Sequence, residues 1–199
     1  ESGVTLRSAF RYPEQIDHWV KLLPLYAELQ IEMIDRVPEL LALGAFDRRL
    51  SVLPKQYARL VEDAGALRVG LEPGVTVEEH RQLLEMRPSF AAMCAELAGC
   101  GLPDTLAHEE IHENNVLIDG DRYVFTDWSD SSISHPYTSM LVTLRATAHW
   151  LKLAEDSPEM KRLHDAYLEP WTQFASRAQL LKAFPLALRI GMVNRALAA

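Results

Sequence analysis

A short stretch near the middle of the chain combines oxygen-bearing side chains that suit phosphoryl transfer. Glu110 precedes Asn115 by five residues, and Asp127 follows Asn115 by twelve. Phosphoryl transfer demands little covalent chemistry of a protein: it needs metal ions on the phosphates and a carboxylate that orients the attacking hydroxyl. Magnesium prefers hard oxygen ligands from few protein groups. An amide oxygen and a carboxylate, brought close together, would supply them.

The segment between the two candidate ligands predicts a β-hairpin. Residues 116–118 and 123–125 are short β-prone runs on either side of an Asp-Gly pair. Such a pair between apolar runs is a strong short-range hairpin signal. The base of the hairpin then places Asn115 beside Asp127, and Glu110 lies on the loop that leads into the same base. The sequence therefore predicts one site that contains all three side chains.

The stretch from residue 108 to residue 128 resembles the catalytic region of the aminoglycoside phosphotransferase and choline kinase family. That pattern reads His-Gly-Asp-hydrophobic-His-x-x-Asn, then a hairpin, then Ile-Asp-Trp. Here the matching positions carry His108, Glu109, Glu110, Ile111, His112 and Asn115, then Thr126-Asp127-Trp128. The five-residue offset also matches the catalytic loop of protein kinases. The second His and the Trp favour the small-molecule branch, and the flanking helices look like that family's C-terminal lobe.

This resemblance implies a role for each matching residue. Glu110 stands at the position of the catalytic Asp, while Asn115 and Asp127 would hold magnesium and so take part in cofactor binding. His108 and His112 would support the loop. The implied activity is transfer of the γ-phosphate of ATP or GTP to a hydroxyl of a small molecule with Mg²⁺. This chain would be the catalytic-loop and substrate-binding part.

Two residues depart from the family pattern. Glu110 replaces Asp, so its carboxylate lies one methylene further from the backbone, and a misplacement of about 1 Å can cost roughly a hundredfold in rate. Glu109 stands where the family often has Gly, and it adds charge beside the site. The Glu at the base position supports an alternative function, in which the chain is a weak or inactive kinase-like domain that binds a ligand or a partner.

The expected fold is α+β and mostly α-helical, a protein-kinase-like C-terminal lobe with a central β-hairpin over residues 1–199. Apolar periodicity predicts a helical insert at about 13–100 and C-terminal helices at 139–198. The catalytic loop and hairpin occupy 108–128.

Several helix ends carry local signals. Thr76 and Glu79 have the spacing of a capping box. Ser157 followed by proline predicts the start of a helix that runs to about residue 178. A last helix is expected over about 179–198, bent at Pro185.

The family's N-terminal lobe has no counterpart in the sequence before residue 108. That lobe is a β-sheet with a phosphate-covering loop and a lysine, whereas the first hundred residues here are predicted to be helical. Gly99-Cys100-Gly101 ends a helix rather than joining a strand to a helix, so it does not fit a phosphate loop. The chain also begins with Glu1 rather than Met. We therefore expect that the N-terminal lobe was removed or never present, and that this missing lobe is the partner needed for nucleotide binding.

Composition excludes several classes of function. The net charge of −8 argues against a nucleic-acid-binding surface, which is normally basic. No apolar run approaches the roughly 18 residues of a membrane span. Two cysteines, Cys94 and Cys100, do not make a disulfide framework. We expect a cytoplasmic protein with a small hydroxyl-bearing substrate. The acidic composition fits an ordinary solvated surface, and it also fits a cationic substrate or a metal.

Three features leave alternatives open. Residues 108–112 also fit the zinc-protease motif H-E-x-x-H, which requires both imidazoles on one helical face. Acidic residues around the loop form either a solvated rim or a platform for a cationic substrate: Asp104, Glu109, Glu113 and Asp130. Aromatic residues on or beside the late helices belong either to an acceptor pocket or to the core: Tyr137, Trp150, Tyr167 and Trp171.

Overall fold

The computed structural model describes residues 3–198. Helices α1 to α9 are Leu6–Ala9, Glu14–Glu32, Val37–Ala42, Leu53–Glu62, Val77–Glu85, Arg87–Ala98, Met140–Leu151, Pro158–Leu168 and Arg177–Ala198. Strands β1 to β6 are Val4–Thr5, Phe46–Asp47, Thr105–Ala107, Val116–Asp119, Arg122–Phe125 and Ser132–Ser134. Short 3₁₀ helices cover Ile34–Arg36, Pro136–Ser139 and Glu169–Gln173. This helix-rich α+β architecture confirms the fold class expected from the sequence.

The predicted hairpin forms the main part of one small sheet. Strands β4 and β5 pair antiparallel, with Val116 opposite Phe125 and Asp119 opposite Arg122. The two-residue loop consists of Gly120 and Asp121, and Gly120 has a φ of +62°, a conformation that glycine adopts without steric cost. The turn is thus one residue later than the Asp-Gly pair indicated. Strand β1 pairs antiparallel with the other edge of β4.

A second sheet was not predicted from the sequence. Its order is β2-β6-β3, with β2 parallel and β3 antiparallel to the central strand. All of β6 is buried, and it lies between the predicted hairpin and the predicted C-terminal helices, where the sequence indicated no strand. The first hundred residues also contain strands β1 and β2, so they are not purely helical. Strands of two or three residues are too short to show a period of two.

Helix α2 is the central helix of the core. Its apolar residues recur at helical spacing, and Trp19, Leu22, Leu23 and Tyr26 are fully buried. This face packs along α8. Burying one side chain of this size contributes about 1.5–3 kcal/mol, so the face accounts for a large part of the stability.

The late aromatic residues divide between the two interpretations left open by the sequence. Tyr137, Tyr167 and Trp171 are fully buried, so they belong to the core. Trp150 is 38% exposed, and the guanidinium carbon of Arg7 lies 3.5 Å from its ring centroid. The acceptor-pocket interpretation is therefore wrong for the three buried rings.

Local capping signals were correct, whereas one predicted helix end was wrong. Thr76 and Glu79 form the reciprocal capping box, and the Ser157 hydroxyl accepts a hydrogen bond from the Met160 amide. Helix α8 ends at Leu168 instead of continuing to about 178, because Pro170 lacks an N–H and a proline ring obstructs the preceding helical turn. A 3₁₀ turn follows, and α9 begins at Arg177.

Two further expectations concern the chain as a whole. Cys94 is buried and Cys100 half-buried, and both are free thiols. Among the helices of residues 3–198, none combines the length and the apolar character needed to cross a bilayer.

Candidate functional site

Residues 108–115 form a loop between β3 and β4 and not a helix. The zinc-protease interpretation is therefore wrong, because its two imidazoles must share one helical face. His108 Nε2 donates to the Thr126 carbonyl at 2.8 Å, and its Nδ1 accepts from the Glu110 amide at 3.3 Å. Both ring nitrogens are thus engaged by the protein. Within the described residues, no group of three or more His, Cys, Asp and Glu side chains is placed to hold a metal.

His108 joins the loop to two neighbouring elements. Its backbone amide donates to the Tyr26 hydroxyl of α2 at 3.0 Å, and its ring lies 4.5 Å from that of Trp128. Burial lowers the pKa of His108, which keeps the imidazole neutral and suited to one donor and one acceptor. His112 differs, because its Nδ1 accepts only from the nearby Asn114 amide at 3.3 Å.

The base of the hairpin brings the predicted magnesium ligands close to each other. The Thr126 amide donates to the Asn115 carbonyl at 2.9 Å, so Asp127 follows directly after a residue bonded to Asn115. The Asn115 side-chain Nδ2 donates to the Glu110 carbonyl at 3.0 Å. This bond fixes the spacing of Glu110 and Asn115 and leaves the amide oxygen Oδ1 of Asn115 as an acceptor.

Asp127 has an exposed carboxylate on a strained backbone. Its φ is +64°, a region that costs a non-glycine residue about 1 kcal/mol or more and occurs often at functional sites. Oδ1 of Asp127 accepts from the Ser129 hydroxyl at 2.9 Å. One amide oxygen and one carboxylate fit magnesium, which takes few protein ligands together with substrate phosphates and water. They do not fit zinc, which takes three or four protein ligands that include His nitrogen or Cys sulfur.

Glu110 forms an ion pair that the sequence did not predict. Its Oε1 lies 2.6 Å from Arg195 Nη2, near the end of α9. Arg195 Nη1 also lies 3.6 Å from Asp130. The side chains of Arg195 and Glu110 are 35% and 27% exposed, so solvent screens the pair only in part. Arg195 is separated from the loop by about 85 residues, and a lone arginine late in a helix carries no local signal of this contact.

Glu109 is buried, contrary to its predicted place beside the site as an added surface charge. It is 1% exposed, and its Oε1 accepts hydrogen bonds from Ser132, Ser134 and Asn194 at 2.8, 3.2 and 3.2 Å. Burial raises the pKa of this carboxyl, and its hydrogen bonds and the nearby Arg48 oppose the rise. Its φ of +66° suits the glycine that the resembling family often has there.

Two members of the acidic cluster are buried and two are not. Glu113 is 5% exposed and its Oε1 lies 3.6 Å from Arg7, and Glu109 points into the protein as described. Neither a solvated rim nor a platform for a cation therefore holds for these two residues. Asp104 is half-buried, and the Asp130 side chain is 35% exposed with Arg195 at 3.6 Å, so both interpretations stay open for them.

Helix α9 approaches the loop closely because of one glycine. A Cβ at Gly191 would lie 2.9 Å from the Thr138 carbonyl oxygen of the 3₁₀ turn that follows β6. One turn later, α9 supplies Asn194 to Glu109 and Arg195 to Glu110. The close contact therefore sets the distance at which α9 reaches the loop.

Comparisons with known proteins relate the chain to others by fold. No family model and no curated protein matches the sequence. Among solved structures, a Plasmodium vivax ethanolamine kinase matches with a TM-score of 0.61 and 14% identity, over 98% of this chain and 55% of that one. An aminoglycoside-3'-phosphotransferase of type VIII matches with a TM-score of 0.51 and 21% identity, over 95% of this chain and 66% of that one.

These similarities establish the fold alone. The chain has the fold of the C-terminal lobe shared by aminoglycoside phosphotransferases and choline-kinase-like proteins, as the motif between residues 108 and 128 indicated. It spans just over half the length of the ethanolamine kinase that it matches.

Proposed function

We propose that this chain is the catalytic-loop and acceptor-binding part of a small-molecule kinase that uses ATP or GTP with magnesium. The observation that carries the proposal is the convergence of Glu110, Asn115 and Asp127 at the hairpin base. The Asn115 side chain bonds to the Glu110 carbonyl, and the Asn115 carbonyl accepts from the residue before Asp127. These two hydrogen bonds support the proposal because they hold the backbone of the three residues close together.

Each of these residues would have a defined task. Asn115 Oδ1 and the Asp127 carboxylate would hold magnesium, which when bound offsets negative charge on the phosphates. Glu110 would orient the acceptor hydroxyl and take its proton. The acceptor oxygen then bonds to the γ-phosphorus while the bond from that phosphorus to the bridging oxygen breaks. The products are a phosphate ester and a nucleoside diphosphate.

The ion pair of Glu110 bears directly on this task. One carboxylate oxygen, Oε1, contacts Arg195, while Oε2 has no hydrogen bond to the described residues and is left to receive the proton. The extra methylene of Glu relative to Asp gives the side chain the length to reach Arg195 on α9. The remainder of the nucleotide site would belong to a further lobe outside this sequence, which spans 55% and 66% of the two structural neighbours.

Magnesium-dependent nucleotide binding tests the proposal most directly. Calorimetry with ATP and GTP, with and without magnesium, would use this chain joined to any segment that its gene encodes upstream. The Asp127→Asn variant keeps the side-chain size and an acceptor for Ser129 but removes the charge. We expect it to weaken magnesium-dependent binding at least tenfold, because the ion loses its carboxylate ligand.

A matched control comes from the hairpin turn. Asp121 is exposed, and Asp121→Asn makes the same change of charge without touching the hairpin base, so it should leave binding unchanged. The proposal fails if neither nucleotide binds better with magnesium than without it. It also fails if both Asn variants weaken binding equally, because the effect would then be one of net charge.

A second candidate function is a kinase-like domain that binds a ligand or partner without transferring phosphate. The Glu110–Arg195 contact at 2.6 Å supports it, because Arg195 occupies one oxygen of the carboxylate that would otherwise be available to the acceptor hydroxyl. Glu110→Asp separates the two functions in the longer protein. A gain in turnover would indicate an enzyme slowed by the longer side chain, whereas no transfer by either form, with ligand binding retained, would favour the binding domain.

A further inference from the structure

A cleft of about 540 Å³ opens between helices α7, α8 and α9, away from the hairpin. Its volume falls within the range of about 300–1,000 Å³ that is typical of small-molecule sites. Its floor is apolar and mostly buried or half-buried, and consists of Leu141, Leu144, Met160, Phe184, Leu188 and Met192. A floor of this kind suits the hydrocarbon body of a ligand, which gains about 25 cal/mol per Å² of apolar surface removed from water.

The rim of the cleft is basic although the chain is acidic. Arg145, Lys161 and Arg189 line it and are exposed, and within residues 3–198 none of the three has an ion-pair partner. Two acids, Glu155 and Asp156, also line it. The local charge is thus opposite in sign to the net charge of −8 carried by the chain.

An adjoining cavity of about 460 Å³ extends the basic surface toward the catalytic loop. Leu141, Arg145 and Met192 line both cavities, and Arg195 lines the second, whose lining contains no acid. Arg195 contacts Glu110 at 2.6 Å. Because Glu110 and Asp130 pair with Arg195, the unpaired positive charge of the two cavities within residues 3–198 comes from Arg145, Lys161 and Arg189.

A neutral polar group also lines the cleft. His164 Nε2 is buried and has no hydrogen-bond partner within the described residues, while its ring lies 4.0 Å from that of Phe184. Burial lowers the pKa of His164, so the imidazole stays neutral. A buried polar atom without a partner is costly, and a ligand hydroxyl in the cleft would provide one.

We propose that this cleft binds an amphipathic organic anion, with its apolar body on the floor and its acidic group paired with Arg145 and a neighbouring basic residue of the rim. This class differs from the cationic substrate that the overall charge suggested. Binding of the anion stands independently of the function proposed above. Its further role, as the hydroxyl-bearing acceptor that faces Glu110, rests on that function.

Three probes with the same chain length test the charge preference: octanoate, octylammonium and 1-octanol. Ligand-observed NMR titration of the chain alone needs neither nucleotide nor magnesium, so a failure here is distinct from a failure of kinase activity. We expect octanoate to bind at least tenfold more tightly than the other two. Its affinity should also fall as salt is added, because an exposed ion pair is screened.

Two variants locate the site. Arg145→Gln should weaken octanoate binding at least fivefold, whereas Lys182→Gln removes a positive charge from an exposed position of α9 outside the cleft and should have no effect. Arg189→Gln replaces Arg145→Gln if that variant does not fold. The proposal is overturned if octylammonium binds as tightly, which would assign the site to the two acids. The proposal is also overturned if octanol binds as tightly as octanoate or if octanoate does not bind. It is overturned as well if Arg145→Gln and Lys182→Gln weaken octanoate binding equally.

Discussion

Gly191→Ala tests whether the close approach of α9 determines the position of Arg195. An added Cβ would lie 2.9 Å from the Thr138 carbonyl oxygen. Backbone atoms cannot yield as a flexible side chain does, so α9 or the 3₁₀ turn must shift. Overpacking of this kind costs about 1–3 kcal/mol, whereas Ala in an unhindered helix is better than Gly by about 1 kcal/mol. The expected result is a net loss of up to about 2 kcal/mol.

Urea unfolding of matched pairs measures this loss. The exposed position Lys182 in the same helix supplies the reference: Lys182→Ala and Lys182→Gly give the Ala-minus-Gly difference where no contact interferes. That difference should favour Ala at residue 182 and Gly at residue 191. The same sign at both positions would refute the reasoning, because Gly191 would then be an ordinary helix glycine and not the point that sets the distance from α9 to the loop.

Two pH-dependent predictions concern buried groups. Burial lowers the pKa of His135 from 6.5 to about 3, so the unfolded chain binds a proton that the native chain does not, and stability falls as pH drops below 6.5. From pH 7 to pH 5 this loss of stability is about 2 kcal/mol. His135→Asn keeps an acceptor for the Tyr137 amide, so urea titrations at the two pH values should show most of the loss removed. An unchanged loss would contradict the prediction. Burial raises the pKa of Glu109. The contribution of this carboxyl to stability is therefore complete below its unfolded-state pKa of 4.5 and is lost as pH rises through its folded-state pKa. The thermal stability of Glu109→Gln should fall less with increasing pH than that of the unmodified chain. An equal fall in both would show that the Glu109 carboxyl does not cause the pH dependence.

The sequence predicted those features that are encoded within a few neighbouring residues. The hairpin depends on two β-prone runs and a tight turn between them, and the helix start at Ser157 depends on one hydroxyl and a following proline. Both are correct in the structure. The juxtaposition of Asn115 and Asp127 follows from the hairpin register alone, which explains why two residues far apart in sequence could be placed together.

The remaining features depend on which distant segments meet. Strand β6 forms because it pairs with Phe46–Asp47 and Thr105–Ala107. The three residues of β6 carry no sequence pattern that predicts these partners. The burial of Glu109 depends on donors from β6 and α9. Glutamate is rarely buried, so its charge predicted a surface position. The pairing of Arg195 with Glu110 follows from the packing of α9, which is set by tertiary contacts and not by helical periodicity.

Strand β1 is synthesised long before β4, the strand with which it pairs. Val4 pairs with Ile118, about 114 residues later, and ribosomes add roughly 5–20 residues per second. The first strand therefore waits about 6–23 s for its partner, whereas the β4–β5 hairpin can close as soon as it is made. During that interval β1 has no partner strand, and unpaired backbone groups of a strand are prone to pair with other chains. A chain that lacks its first five residues would keep the hairpin but leave one edge of β4 open, and would be expected to self-associate during production.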